Sequence, residues 1–279
     1  MADHDLALRH DVPNSARVVN KLLGGKDNYE IDALVAAAAG RKFVGGGGRG
    51  ARGRGACMSG PSRGAPRRFL LRAVNVLSTE HGVHQYVDLG CGLPLSPDVG
   101  DATADRGETG RVLYLDHDIL VAAHARALLE NSPNRRFALV DITDTADVLN
   151  QISGFLDLGQ PVAFCLSGTA ELLPDATTML AELTTGLPLG CWIIFSHITD
   201  DVFSEDIRET AAQLESHSIT YRPRERTTVT NMLAPYRLLQ PGLVAPHQWR
   251  PEIGSRVYRG LHPVELVLSA YAAVGHLPR

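Results

Sequence analysis

The sequence predicts an α/β protein with a doubly wound, mostly parallel sheet, and three observations indicate this fold class. Five short apolar segments recur between residues 84 and 197, and amphipathic segments with helical periodicity separate them. The alternation of strand and helix is typical of βαβ units with helices on both faces of the sheet. Right-handed crossovers then bring all five strand ends to one edge, where such folds bind ligands.

Length and composition restrict the classes of protein to which this chain can belong. The chain has 279 residues, 44% of them hydrophobic, and a formal net charge of −4, which suits one large domain or two small ones. The mildly acidic balance argues against nucleic acid as the main partner. The sequence shows neither an apolar run that could cross a bilayer nor a secretory signal, so we expect no membrane association.

The four cysteines are scattered and form no Cys-x-x-Cys pair, so no metal site is implied. Two of them, Cys165 and Cys191, stand in strongly apolar segments, which is typical of reduced thiols in a protein core. We therefore expect a cytoplasmic location.

The first 44 residues are predicted to form a separate helical unit, with two helices over residues 14–39 divided by Gly24 and Gly25. Residues 45–68 have a different composition, with nine glycines, six arginines and no acid. Such a segment cannot bury enough apolar area to offset its ordering entropy, so we expect it to be flexible. An RNA-binding arm, an insertion and an error in the reading frame remain alternative interpretations.

Residues 69–279 are predicted to form the main domain, which starts with a helix whose apolar positions run from Phe69 to Leu77 and which ends near residues 81–82. The predicted strands are HQYVDLG (84–90), RVLYLD (111–116), RFALVD (136–141), PVAFCLS (161–167) and CWIIFSH (191–197). The predicted helices between and after them cover residues 119–130, 144–152, 175–185 and 203–217. A polar connection (220–228), a further strand (236–244) and a terminal amphipathic helix (262–275) complete the prediction.

The motif DLGCGLP follows the first strand and supplies Asp88, Gly90 and Gly92. Glycines at this point let the backbone approach a ligand closely. A dinucleotide fingerprint would have a third glycine where Leu95 stands. The acid would also repel pyrophosphate and suit a cationic ligand such as S-adenosylmethionine, which carries a sulfonium and an ammonium. The alternative is an ordinary tight turn.

Two further acids end the next two strands. Asp116 stands where a carboxylate can accept hydrogen bonds from ribose hydroxyls. Asp141 ends the third strand, within reach of an adenine amino group, with Ile142 against the ring. Asp118 fits better as the N-cap of the following helix. Three successive strands that end in acids favour a ligand site over chance.

A group-transfer reaction needs a general base only where the acceptor brings its proton into the reaction. His197, which ends the fifth strand, is the candidate base, and its alternative role is a hydrogen-bonded residue of the pocket wall. Glu171 and Asp175 also lie on the expected edge, where the alternative is that they flank helix termini.

The order DLGCG, YLD, VDI, PVAFCLSG and WIIFSH resembles the class I S-adenosylmethionine-dependent methyltransferases. The leader PNSARVVNKLLGGKDNYEID, together with DLGCGLP, IIFSHITDD and LLQPGLVAPHQWRP, resembles one branch of them. This branch is the S-adenosyl methyltransferase family formerly classed as a domain of unknown function. One departure is Glu171, since relatives tend to have a histidine after the fourth strand.

The resemblance implies a seven-stranded, Rossmann-like sheet under an N-terminal helical cap, with S-adenosylmethionine as cofactor. It also implies donor contacts from Asp88, Gly90 and Gly92, the ribose role for Asp116 and the adenine-side role for Asp141. The implied activity is methyl transfer to a small-molecule acceptor. A non-catalytic donor-binding module and an RNA-binding or RNA-modifying protein are the alternatives, and no motif specifies the acceptor atom or the oligomeric state.

Overall fold

The computed structural model of the protein describes residues 9–41, 64–104, 110–255 and 268–278. The strands are β1 (Gln85–Leu89), β2 (Arg111–Asp116), β3 (Arg135–Leu139), β4 (Val162–Ser167), β5 (Trp192–Ile198), β6 (Arg237–Leu238) and β7 (Ala270–His276). The helices are α1 (Ser15–Leu22), α2 (Glu30–Arg41), α3 (Ala65–Glu80), α4 (Val99–Ala104), α5 (Ile119–Leu128), α6 (Thr145–Ser153), α7 (Ala176–Gly186), α8 (Ser204–Glu215) and α9 (Arg226–Met232).

The seven strands form one sheet in the order β3-β2-β1-β4-β5-β7-β6. Strands β1 to β5 run parallel, and β7 pairs antiparallel with both β5 and β6. The strand order reverses between β1 and β4, which is the point where ligands bind in open α/β sheets. The predicted fold class is thereby confirmed.

Two apolar cores cover the two faces of the sheet. One contains residues of α6, α7 and α9, including Val148, Leu183 and Val229. The other contains residues of α3 and α5, with Phe69 packed edge-on against Trp249. Because helices cover both faces, the central strands are almost completely buried, and all seven residues of β5 are buried.

The end of the chain differs from the prediction, because residues 270–276 form strand β7 and not a helix. The segment AYAAVGH is nearly all buried between β5 and β6, so both of its faces are apolar. A short, continuous apolar segment of this kind cannot be assigned to helix or strand from periodicity. Residues 262–267 of the predicted helix lie outside the described residues.

Two further boundaries differ from the predicted ones. Helix α3 begins at Ala65, with Pro66 in its first turn, where a missing N–H costs nothing. Four residues assigned to the flexible segment are therefore helical, and residues 45–63 lie outside the described part of the chain. Helix α9 occupies part of the predicted polar connection, since Val229 and Met232 are buried on one side of it.

The two N-terminal helices, α1 and α2, are called the cap helices. Val18, Leu22 and Val35 pack with Ile207 and Leu214 of α8 in a third apolar cluster. Within the described ranges, no helix has both the length and the apolar character needed to cross a membrane.

A buried ion pair joins the cap helices. Arg17 of α1 is 4% exposed and Asp32 of α2 is fully buried, and the Arg17 Nε donates to the Asp32 carboxylate at 2.7 Å. The same carboxylate accepts the backbone N–H groups of Asn14 and Tyr29, both at 2.9 Å. Because the buried Asp32 carboxylate accepts these backbone hydrogen bonds in addition to the ion pair, it fixes the position of α1 relative to α2.

We expect Asp32→Asn to destabilise the cap helices by about 3–5 kcal/mol, because it leaves the Arg17 guanidinium buried without a counter-charge. Hydrogen exchange should show loss of protection in residues 15–22 and 30–41, with the sheet unchanged. Asp27→Asn is the matched control, since the Asp27 side chain is exposed. Equal protection in the two variants would contradict the assignment.

Candidate functional site

A cavity of about 670 Å³ opens at the carboxyl ends of β1, β2, β4 and β5. Its floor contains the loop from Asp88 to Leu93 after β1 and the turn from Ser167 to Pro174 after β4. Helix α1 of the cap forms the opposite wall. The cavity volume is in the ordinary range of small-molecule sites.

The glycine loop approaches β2 and β4 closely. Gly90 has a φ of +67°, and a Cβ added to it would lie 2.3 Å from the Thr169 Cγ2. Gly92 has a φ of +65°, and a Cβ there would meet nothing within 4 Å. At Gly90 a side chain is disfavoured both by the positive φ and by the contact with Thr169. At Gly92 it is disfavoured by the positive φ alone.

The backbone amides of this loop already have acceptors within the protein. The N–H groups of Gly90 and Cys91 donate to the carbonyl of Leu115, at 2.8 and 3.0 Å. The N–H of Gly92 donates to the Asp116 carboxylate at 2.9 Å. This loop offers no row of free amides to a phosphate group, unlike a dinucleotide-binding loop.

Asp116 lies at the end of β2 and is 6% exposed. One carboxylate oxygen accepts from Gly92, and the other accepts the Asp118 N–H at 3.0 Å. Burial raises the pKa of Asp116, although these two N–H groups lower it. Each oxygen keeps a second lone pair towards the cavity, so the side chain can accept from a ligand.

Asp88 and Arg67 bring opposite charges to the cavity wall. Burial raises the pKa of Asp88 to about 7, opposed by the Arg67 guanidinium and reinforced by the carboxylates of Asp98 and Asp116. The Arg67 side chain also donates to the carbonyls of Leu95 and Pro97. A cationic ligand beside Asp88 would stabilise the ionised form of this carboxyl.

Asp141 and Ile142 line the cavity beside β3. The Asp141 carboxylate is exposed and accepts from the N–H and hydroxyl of Thr143, at 2.9 and 2.7 Å. These bonds lower its pKa, although burial acts in the other direction. Ile142 is buried and supplies an apolar surface next to this carboxylate.

His197 is almost fully buried in the cavity wall, and both ring nitrogens are engaged. Its Nδ1 lies 2.6 Å from the carbonyl of Ile198, and its Nε2 lies 2.7 Å from a nitrogen of Arg224. Burial lowers its pKa to about 4, so the ring is neutral at pH 7. A neutral ring must donate to the carbonyl and accept from the guanidinium. This arrangement favours the pocket-wall alternative over the role of general base.

Glu171 lies in the short helical turn Ala170–Leu172 after β4 and lines the cavity. Its side chain is buried, and the Oε2 atom has no hydrogen-bond partner among the described residues. Burial raises the pKa of Glu171 to about 7. Asp175, in contrast, caps α7 by accepting the Thr178 N–H at 3.0 Å and lies outside the cavity lining.

The cap reaches the site through Asn14 and Asn20, which line the cavity and belong to the leader segment that the family resemblance implies as a cover of the pocket. The Asn14 side chain donates to Asp118, and Asp118 also caps α5 by accepting the N–H groups of Leu120 and Val121. The Asn20 carbonyl oxygen accepts from Asp27 and Asn28, while its amide nitrogen is buried and has no partner among the described residues. The resemblance implied that the leader helices cover the pocket, but it assigned no contact to either side chain.

The strand order, the glycine loop with its preceding acid, and the acids after β2 and β3 define a class I S-adenosylmethionine-dependent methyltransferase. Comparison with known families narrows this class. A family model described as S-adenosyl methyltransferase matches residues 1–278, and the chain belongs to that family. The predicted family, enzyme class and cofactor are thereby confirmed.

Solved structures agree with this assignment. A DUF574 family protein from Streptomyces avermitilis is 25% identical, with a TM-score of 0.83, over 98% of this chain and 100% of the other. A candidate methyltransferase from Thermobifida fusca is 27% identical, with a TM-score of 0.81, over 98% of this chain and 97% of the other. The plantazolicin methyltransferase BpumL, solved in complex with a triazolic desmethylPZN analog and SAH, shares the fold at 10% identity and a TM-score of 0.51, over 95% of this chain and 96% of the other. No curated protein matches the chain.

We expect Gly90→Ala to destabilise the protein by more than Gly92→Ala, by about 1–3 kcal/mol, in urea unfolding. Both changes strain a positive φ, but only the first brings a methyl group against Thr169. Adding Thr169→Ser to Gly90→Ala removes the contacting methyl and should recover part of the loss. Equal stability of the two glycine variants would contradict the close approach.

We expect the contribution of Asp88 to the stability of the ligand-free protein to fall as pH rises from about 4 to about 7. The folded pKa of Asp88 lies above the unfolded value, so the folded state binds the extra proton in this window. The slope is at most about 1.4 kcal/mol per pH unit for one carboxyl. Asp88→Asn should flatten the curve in urea unfolding at pH 5.0 and 8.0. If Asp88→Asn kept the wild-type dependence of stability on pH, Asp88 would not be the cause of that dependence.

Proposed function

We propose that this enzyme transfers the methyl group of S-adenosylmethionine to a small-molecule acceptor inside the cavity. The observation that supports this is the continuity of the cavity between two different regions. One region carries the acids at the ends of β1 to β3. The other is apolar and lies between the cap and the segment after α8, lined by Leu22, Leu23, Leu172, Ile219 and Tyr221.

The acidic region suits the donor. In this proposal the Asp116 carboxylate accepts from the ribose hydroxyls, and Asp141 accepts from the adenine amino group with Ile142 against the ring. Asp88 faces the cationic part of the donor, and the positive φ of Gly90 and Gly92 keeps side chains out of its path. The donor supplies a methyl group activated on a sulfonium.

The protein contributes mainly position and exclusion of water. In-line transfer to a methyl carbon requires the acceptor atom, the methyl carbon and sulfur to be aligned, so orientation supplies much of the rate enhancement. The apolar compartment holds the acceptor, and the cap separates it from solvent. Since about 670 Å³ must contain the donor and the acceptor site together, only a small acceptor fits inside.

The cysteines support a cytoplasmic location as part of this proposal. Cys91, Cys165 and Cys191 are free thiols, and burial raises the pKa of each. Reduced thiols of this kind suit a reducing compartment.

Calorimetric titration with S-adenosylmethionine and S-adenosylhomocysteine tests the donor site. We expect Asp116→Asn to weaken both ligands by about 10–100-fold, because it removes a charge-assisted hydrogen-bond acceptor. Asp141→Asn should weaken them less, since Asp141 is exposed. Asp144→Asn is the control, because Asp144 lies outside the cavity lining and asparagine is an equally good N-cap.

Wild-type protein that is folded but binds neither compound would overturn the proposal. Donor binding with wild-type affinity in Asp116→Asn would overturn the assigned ribose role alone. Comparison of thermal unfolding of the three variants separates loss of binding from loss of folding.

A further inference from the structure

Glu171 is a buried acid with one carboxylate oxygen that no group of the described residues satisfies. The residue is 8% exposed, its Oε2 atom has no hydrogen bond among the described residues, and it lies in the cavity wall. A buried carboxyl oxygen without a partner is costly, so it calls for a ligand that completes its hydrogen bonding. No helix cap or ion pair in the described part of the chain uses this oxygen.

The nearest cation stabilises the backbone around Glu171 without pairing with its carboxylate. The Arg224 guanidinium donates to the carbonyls of Ala170 and Leu173, at 3.0 and 3.2 Å, and contacts His197 at 2.7 Å. These bonds hold both ends of the turn that carries Glu171. The charge of Arg224 lowers the pKa of Glu171 only partly, since burial still raises it. The turn is therefore fixed while the carboxyl remains available.

The charges around the cavity select against anionic acceptors. Its ionisable lining includes five acids, Asp88, Asp116, Asp118, Asp141 and Glu171, and one arginine, Arg67. Arg67 lies beside Asp88, at the donor side. In the apolar compartment the acid is Glu171, whose charge Arg224 offsets only partly, so an anionic acceptor next to this carboxylate would be repelled and an ammonium would be stabilised.

We propose that Glu171 binds the reacting nitrogen of the methyl acceptor, and that the acceptor is a small, largely apolar amine. This inference rests on the proposed function and adds the substrate class. The apolar walls formed by Leu22, Leu172 and Ile219 bind the carbon part of the acceptor, and Glu171 is the hydrogen-bond acceptor for its N–H group.

The reaction balances without a further reagent. Glu171 takes one proton from the bound ammonium and leaves a neutral amine with a free electron pair. The nitrogen attacks the methyl carbon, a C–N bond forms, and the C–S bond breaks with its electron pair remaining on sulfur. The products are the N-methylated ammonium and a neutral thioether, and Glu171 releases its proton to water.

Three probes that share one ring and one chain length test the substrate class. The protein is saturated with S-adenosylhomocysteine at pH 8.0, and 2-phenylethylamine, 2-phenylethanol and phenylacetate are titrated by calorimetry. We expect the amine to bind at least about tenfold more tightly than the alcohol, and phenylacetate to bind most weakly, because the carboxylate stabilises a cation and repels an anion.

Glu171→Gln keeps the shape of the side chain and removes its charge. We expect this variant to lose at least about tenfold in amine affinity, with alcohol affinity within twofold of the wild type. Glu225→Gln is the matched control, since Glu225 is exposed and outside the cavity lining, and it should keep the wild-type order. The S-adenosylhomocysteine affinity of each variant reports on its folding.

The outcomes separate this inference from the proposed function. Wild-type protein that does not bind S-adenosylhomocysteine overturns the proposed function, and the acceptor assignment falls with it. Donor binding without a preference for the amine, or with no amine binding, overturns the acceptor assignment alone. An amine preference that survives Glu171→Gln overturns the role of Glu171. A preference for the alcohol identifies an oxygen acceptor and also overturns the inference.

Discussion

The carboxylates of Asp116 and Asp118, at the end of β2 and directly after it, connect the sheet, the glycine loop and the cap. Asp116 fixes the glycine loop through Gly92 and the start of α5 through Asp118. Asp118 in turn accepts from Asn14, whose backbone N–H donates to the buried Asp32. The glycine loop, the start of α5 and the cap are thus all connected by hydrogen bonds to the end of β2. Because these hydrogen bonds are accepted by partly buried carboxylates, they fix the loop and the cap more firmly than hydrogen bonds between neutral groups would.

The same site retains acids that weaken the ligand-free protein. Asp88 and Glu171 have raised pKa values because burial disfavours their charged forms. A fold selected for stability alone would replace or pair such groups. Their position in one cavity, at opposite sides of the β1–β4 boundary, indicates that the stabilising charges come with the ligands. Binding of a cation would then add its free energy to that of folding.

The sequence predicts the part of this site that depends on strand order. Asp88, Asp116 and Asp141 end successive strands of a parallel sheet, so their meeting at one edge follows from topology. Glu171 and His197 were recognised as edge residues, but only the structure shows that both nitrogens of the histidine are engaged and that Oε2 of the glutamate has no partner among the described residues. Strand β7 escaped prediction because a segment buried on both faces has no periodicity to detect.

The internally bonded glycine loop has a consequence for selection among abundant adenosine compounds. ATP has the same adenosine as S-adenosylmethionine but carries a chain of phosphates where the latter has a cation. The amides of Gly90, Cys91 and Gly92 are all directed to acceptors of the protein itself, and Asp88 adds a carboxylate at that position. We therefore expect the scaffold to disfavour nucleoside triphosphates, because the loop amides already have acceptors within the protein and the Asp88 carboxylate repels phosphate.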